Sequence, residues 1–527
     1  MRLHLFVTCL AVVAACGDQG GGGDELTITL DAGKVHGAAV GEMRHFLGIP
    51  YAAPPVGPDR FRAPQPVTPW TEVRDALLLG SRCPQSSLAG SSDDEDCLFV
   101  NVWAPSHATK LPVMVWLHGG AFVFGSGGDP YYDGSNLAAG GVIVVTLNYR
   151  LGLFGFLAHP ALVDDDPAFP TAGNYGLEDQ RAALHLVQRN IAAFGVDPTK
   201  FTLCGESAGG MSTCLHYLSS RTSGLFQAAI AESGLCSSSL LELPAPVAQA
   251  PGTLLAAALG CPGSDATTIA CLRAKSPDEL LAAPAMVAGA VTPGGSLFQM
   301  ISLPGSLPNV DGLVVSQPSA TLAAAAQFEA RPLILGNVLD EGTLFTSALF
   351  ATPVTDESEF RAALATRFTS QVVDAIVAHY PVTAFPSANA ALAQVINDGF
   401  FHCPSARFSK AVTARGAVEY RYSFEQALSS PIAPGLGVFH SSELPFVFGN
   451  DNFPLGKVGP SSDATSLATA IQHYWTQFAT FATPNYQGAV TWPMYNASTE
   501  PQLVLAATLT TATNLDDAAC ALWAAIE

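Results

Sequence analysis

Apolar and polar positions alternate at the start of the folded part of this 527-residue chain, and the period then changes from element to element. At 26–30 the order is Leu-Thr-Ile-Thr-Leu, then Asp31-Ala32-Gly33 turns into Lys34-Val35-His36. Period two on both sides of a turn predicts an N-terminal hairpin. Further strands are expected at 98–103, 113–117 and 142–148; the last two are continuous apolar runs, the pattern of parallel strands covered by helices on both faces. From Asn174 the period lengthens. Leu184, Val187 and Ile191 fall at helical spacing, so a core helix should run to about Phe194. A β-forming run at 200–204 leads directly into 208–218, which has the composition of a buried helix, and more buried strands are expected at 226–231, 332–335 and 418–424. Prolines crowd 46–55 and 60–64 densely enough to exclude helix and central strand, so an extended surface segment is expected there.

The first residues follow a different logic. Arg2 precedes an apolar run at 5–15 that is too short to span a bilayer and has the form of a signal peptide. It ends Val13-Ala14-Ala15-Cys16, which resembles the bacterial lipobox; the alternative is ordinary signal-peptidase cleavage. We read 1–15 as a signal peptide and 16–25 as a lipidated Cys16 with a glycine-rich tether. Gly17 is not the Asp that marks inner-membrane retention, so the expected location is the outer membrane or surface of a bacterium, otherwise the periplasm or medium. No stretch of 18 uninterrupted apolar residues occurs, so membrane contact is expected through the anchor on Cys16 rather than a spanning helix. Residues 26–527 are expected to form a single domain with cap insertions at about 245–330 and 350–400. The formal charge of -21 argues against a nucleic-acid partner. No HExxH, Walker or Cys/His metal pattern appears, so no cofactor or metal is expected.

Candidate chemistry centres on Gly205-Glu206-Ser207-Ala208-Gly209, set between the strand at 200–204 and the helix at 208–218. In that setting the pattern reads as a nucleophile elbow: serine on a sharp turn, with the helix N-terminus aimed at a reacting carbonyl. His118-Gly119-Gly120-Ala121-Phe122 follows the strand at 113–117. Glycines there let N–H groups of Gly120 and Ala121 face a cavity and, with that of Ala208, receive a developing negative oxygen as an oxyanion hole. The acid is sought next, in the loop after 332–335, where Asp340 and Glu341 are both chemically able to orient an imidazole. His379, His402, His440 and His473 compete as the base; three sit in helix-like surroundings, whereas His440 lies in a loop after the strand at 418–424. Ser233, at a strand end, is either a second neighbour of the site or a turn residue.

Four stretches together resemble the type-B carboxylesterases, α/β-hydrolases that include cholinesterases and bile-salt-activated lipase: Glu95-Asp96-Cys97-Leu98-Phe99-Val100-Asn101, the His-Gly-Gly-Ala-Phe turn, 174–180 and 205–210. The resemblance runs from about Leu26 to Trp523. It implies an α/β-hydrolase fold: a large, mostly parallel mixed sheet, helices on both faces and a helical cap. It also implies that the acid is Glu341, immediately before Gly342, with Asp340 a solvated neighbour, and that the base is His440 in Phe439-His440-Ser441-Ser442-Glu443-Leu444. By the same resemblance the disulfides are Cys83 with Cys97, Cys261 with Cys271 and Cys403 with Cys520, leaving Cys204, Cys214 and Cys236 as buried thiols. The expected activity is hydrolysis of a small-molecule carboxylic ester through an acyl-enzyme. A lipase acting on longer acyl glycerides is the nearer alternative, and a non-catalytic adhesion or binding protein the more distant one. The 83–97 loop holds no aromatic residue, which argues against the choline recognition of cholinesterases and for a more open mouth. Phe298 and Met300 are either acyl-pocket or core residues.

Overall fold

The computed structural model describes residues 25–86, 91–163, 165–237, 242–291, 305–347, 352–428, 435–453, 456–457, 464–513 and 517–526. The readings for the signal peptide, Cys16, Phe298 and Met300 lie outside the described residues. An eleven-stranded sheet carries the molecule. Its strands in chain order are β1 (Ala38–Val40), β2 (Met43–Pro50), β3 (Phe99–Pro105), β4 (Leu111–Leu117), β5 (Ile143–Leu147), β6 (Val196–Glu206), β7 (Ala228–Glu232), β8 (Leu333–Val338), β9 (Glu419–Phe424), β10 (Gln502–Leu505) and β11 (Thr510–Ala512). The spatial order is β11-β10-β9-β8-β7-β6-β4-β5-β3-β2-β1. From β5 through β10 every neighbouring pair is parallel, and the pairs at either edge are antiparallel. Thr27–Leu30 and Gly33–His36 form the expected hairpin in a separate small sheet.

Alternation along β4 explains the layers. Val113, Val115 and Leu117 enter one hydrophobic cluster, with Leu177 and Leu184 of α1 (Tyr175–Asn190) and Met211 and Leu215 of α2 (Ala208–Leu218). Met114 and Trp116 enter the cluster on the opposite face, with Ile471, Trp475 and Phe478 of α3 (Thr465–Phe481). Successive side chains of a strand point to opposite faces, so continuous apolar runs need helices on both. The helices Ala245–Ala258 and Ala266–Arg273 have a smaller core of their own, in which Leu255 and Leu272 pack with Phe61, Leu153 and Phe154.

Two expectations fail here. Residues 46–50 are not a surface segment: they belong to β2, an internal strand, with Phe46 and Ile49 buried. Pro50 is tolerated because it is the last residue of the strand, and the register with β3 already shifts between Phe46 and Ile49, where Gly48 has φ 70°. Farther along, Phe61 is buried as well. Cys214 and Cys236 are not thiols. They are bridged, with Cα atoms 5.6 Å apart, because the seventh residue of α2 faces the loop that leaves β7. The three expected bridges are present, and Cys204 is a buried free thiol.

Candidate active site

The site lies along the carboxyl ends of adjacent parallel strands, where loops turn over the sheet edge. Between β6 and α2 the chain reverses within one residue, Ser207, held at φ 58° and ψ -121°. A left-handed serine costs roughly 1–3 kcal/mol and persists only when its neighbours fix it. Ser207 N–H donates to the Glu232 carbonyl at 3.0 Å, and the Ser207 carbonyl accepts from Met211 N–H at 2.8 Å. Close approach also requires glycine at 209, where a Cβ would stand 1.9 Å from the Leu117 carbonyl oxygen.

Three side chains from separate strand ends meet there. His440 Nε2 is 2.8 Å from Ser207 Oγ, and its Nδ1 is 2.6 Å from Glu341 Oε2. The other Glu341 oxygen accepts the Val338 N–H at 3.0 Å, so the carboxylate is fixed at both ends, and it is fully buried. Rings of Phe345 and Phe401 flank the imidazole, each 5.0 Å away between centroids. Asp340 is not the solvated neighbour expected: its Oδ2 accepts the Val438 N–H at 2.8 Å and ties down the loop that carries His440. His379 ends the helix Ser370–His379, His402 ends the π-helix Asn397–His402 and His473 lies within α3; the hydrogen bonds to Ser207 and Glu341 are made by His440.

The turn after β4 brings the other expected groups. Gly120 has φ 106° and its carbonyl accepts from Val123 and Phe124, while Ala121 and Phe122 are also left-handed. Ala121, Phe122, Ser207 and Ala208 line one small cavity of about 30 Å³, closed by Met211, Leu235, Leu307, Phe345 and Phe401. His118 stacks on Tyr149 and is fully buried; burial pushes its pKa down to about 4, which makes it a neutral packing group.

A second group of buried carboxylates, not anticipated from the sequence, surrounds the site. Glu206 Oε1 lies 3.3 Å from His440 Nε2 and accepts the Ser441 hydroxyl at 2.5 Å. Glu232 accepts from Trp475 Nε1 at 2.7 Å, and Ser233 Oγ donates to Glu443 Oε1 at 3.4 Å, which makes Ser233 a neighbour of this group. Burial raises the carboxyls of Glu206, Glu232 and Glu443 above the ordinary range, and Glu232 reaches about 8. For His440, burial disfavours the imidazolium, but Glu206 and Glu341 outweigh it and its pKa is raised. Glu206 and Glu443 did carry a signal: one stands inside the elbow motif and the other three residues after the histidine.

Comparison with known proteins places this arrangement. The model of the carboxylesterase family matches residues 24–523. The chain is 37% identical to the para-nitrobenzyl esterase of Bacillus subtilis over 494 residues, covering 92% of this chain and 95% of that protein. It is 36% identical to the fumonisin B1 esterase of Sphingopyxis macrogoltabida, covering 88% and 83%, and 32% identical to the acetylcholinesterase of Bungarus fasciatus, covering 98% and 88%. A solved para-nitrobenzyl esterase superposes with a TM-score of 0.82 at 34% identity, over 95% of this chain and all of that one. With an α/β-hydrolase sheet, a family match over nearly its whole length and relatives above 30% identity, the chain belongs to the carboxylesterase family and is a carboxylic ester hydrolase of the serine type.

Proposed function

We propose that Ser207 is the nucleophile, His440 the general base and acid, and Glu341 the group that orients the imidazole. The observation that carries this is the unbroken chain of contacts from Ser207 through His440 to Glu341, at 2.8 and 2.6 Å. His440 takes the Ser207 proton as Oγ attacks the ester carbonyl, and Glu341 stabilises the imidazolium that forms. The N–H groups of Gly120, Ala121 and Ala208 receive the oxyanion, each worth about 3 kcal/mol at comparable sites. His440 then gives its proton to the departing alcohol. Water, activated by the same histidine, repeats the sequence on the acyl-enzyme and releases the acid.

The substrate we propose is an ester with a short acyl group. Its support is the small apolar cavity beside Ser207, walled by Leu307, Phe345 and Phe401, which suits a few carbons better than a long glyceride chain. Relatives named for para-nitrobenzyl and fumonisin B1 esters suggest tolerance on the alcohol side. We also propose that the protein is exported and held by a lipid on Cys16. Support comes from the N-terminal pattern and four disulfides, which persist in oxidising compartments. Among the described residues no helix is long and apolar enough to cross a membrane. The mass of the mature N-terminal peptide checks the lipid; a peptide that begins beyond Cys16, or at an unmodified Cys16, contradicts it.

Turnover of p-nitrophenyl esters of increasing acyl length tests the activity. Wild type is expected to favour the shortest chains. Ser207→Ala should fold, as judged by circular dichroism, and lose at least about 10³-fold in kcat. Full turnover by the alanine variant would refute the assignment of Ser207.

A further inference from the structure

Ser441 follows His440 with its backbone at φ 72°, a region that suits glycine better than serine. Its side chain makes a contact for which acyl transfer has no stated use. The hydroxyl donates to Glu206 Oε1 at 2.5 Å, and the same oxygen lies 3.3 Å from His440 Nε2. Nε2 is in turn 2.8 Å from Ser207 Oγ. Once the imidazole is protonated, two acceptors face one Nε2–H: the reacting oxygen and the Glu206 carboxylate. A carboxylate is the stronger acceptor, and a proton held by Glu206 is not delivered to the leaving alcohol. The Ser441 hydroxyl occupies Oε1 from another direction and weakens its pull. Glu206 is buried, so water does not supply an equivalent donor freely.

We propose that Ser441 is a positioning residue that anchors the Glu206 carboxylate beside His440, so that the reacting oxygen on Ser207 rather than Glu206 keeps the hydrogen bond to Nε2. The inference rests on the acyl-transfer reading above and deepens it. The other titratable groups around this pair are Glu341, Glu232 and Glu443, and the phenols of Tyr131, Tyr132, Tyr149 and Tyr422. A change at residue 441 leaves all of them in place. With the hydroxyl gone, Oε1 closes on the imidazolium, the charged histidine is favoured, and the acidic limb of kcat/KM moves to higher pH.

The test compares wild type, Ser441→Gly, Glu206→Gln and the double variant on p-nitrophenyl acetate, with full pH profiles and thermal melts. Glycine accepts φ 72°, so Ser441→Gly should melt no lower than wild type. It should lose about tenfold in kcat with KM changed less than about twofold, and its acidic limb should rise by about half a pH unit. Glu206→Gln alone should move that limb the opposite way, and adding Ser441→Gly to it should change nothing further. An acidic limb in Ser441→Gly that stays or falls, a loss confined to KM, or an undiminished loss in the Glu206→Gln background would overturn the proposal. Wild type that leaves the ester intact would instead overturn the acyl-transfer reading, so the two failures are distinguishable.

Discussion

Around His440 the same functional group takes different roles because its surroundings differ. Glu341 receives the Val338 N–H and the imidazole Nδ1, whereas burial raises the carboxyls of Glu206, Glu232 and Glu443, and at Glu206 the positive His440 and the Ser441 hydroxyl act against that rise. Because carboxylates raise the His440 pKa, the acidic limb of kcat/KM should lie above about 6.5, the ordinary histidine value. With His440 as the proposed general base, activity needs the neutral imidazole, so it should fall as pH drops through that limb. Glu341→Gln should lower kcat by about 10³- to 10⁴-fold and move the limb to lower pH, read from the pH profile of a short ester. An unmoved limb would remove Glu341 from contact with the base. From the residues alone, Asp340 and Glu341 were equivalent. Resemblance separates them, and the structure shows a physical reason: Asp340 is already engaged by the Val438 N–H, so it serves the loop rather than the ring. Glu206 stands in the elbow motif, but its contact with His440 was not legible because nothing in a linear pattern says which way the residue before the elbow serine points.

Elements were legible where one period persisted. The helix expected from Asn174 to about Phe194 is Tyr175–Asn190 continued by the 3₁₀ turn Ile191–Phe194, and 208–218 matches α2 throughout. The proline-rich segment misleads because proline excludes a strand only where the ladder needs the N–H that proline lacks, and Pro50 sits at the strand's last position. α1 also carries a tie that spacing did not reveal. Asp179, wholly buried, receives Arg150 Nε and Nη2, both at 2.7 Å, and the Arg150 N–H at 3.0 Å. This fastens the loop after β5, whose Tyr149 supports the His118 carbonyl at 2.9 Å, to the helix beneath it. Asp179→Asn leaves a buried guanidinium without its counter-charge and should cost about 3–5 kcal/mol in chemical denaturation. A loss below about 1 kcal/mol would show that the pair contributes little to that tie.

Across the whole molecule, two apolar clusters lie on opposite faces of the sheet, and among the described residues four disulfides tie helices and loops around it, Cys403–Cys520 joining the helices Cys403–Ala414 and Asp517–Ile526. The Cys214–Cys236 bridge was illegible because residue types do not reveal which loop faces a helix. Burial of charge also gives stability a pH dependence. Glu232 has a folded pKa of about 8 against about 4.5 when unfolded, so between those values the native state binds the extra proton and stability falls as pH rises. Its contribution to that slope approaches about 1.4 kcal/mol per pH unit in the middle of the window. Glu232→Gln keeps an acceptor for Trp475, removes that contribution and should raise the melting temperature more at pH 8 than at pH 5. Equal shifts at both pH values would mean that Glu232 is ionised in the native state. The measurement that bears most directly on the whole account is covalent labelling. One equivalent of a fluorophosphonate should abolish ester hydrolysis and add a single adduct, mapped by mass spectrometry to the peptide that contains Ser207, and Ser207→Ala should take up none. An inactivated enzyme with its adduct elsewhere, or an active one that takes up no label, would contradict it.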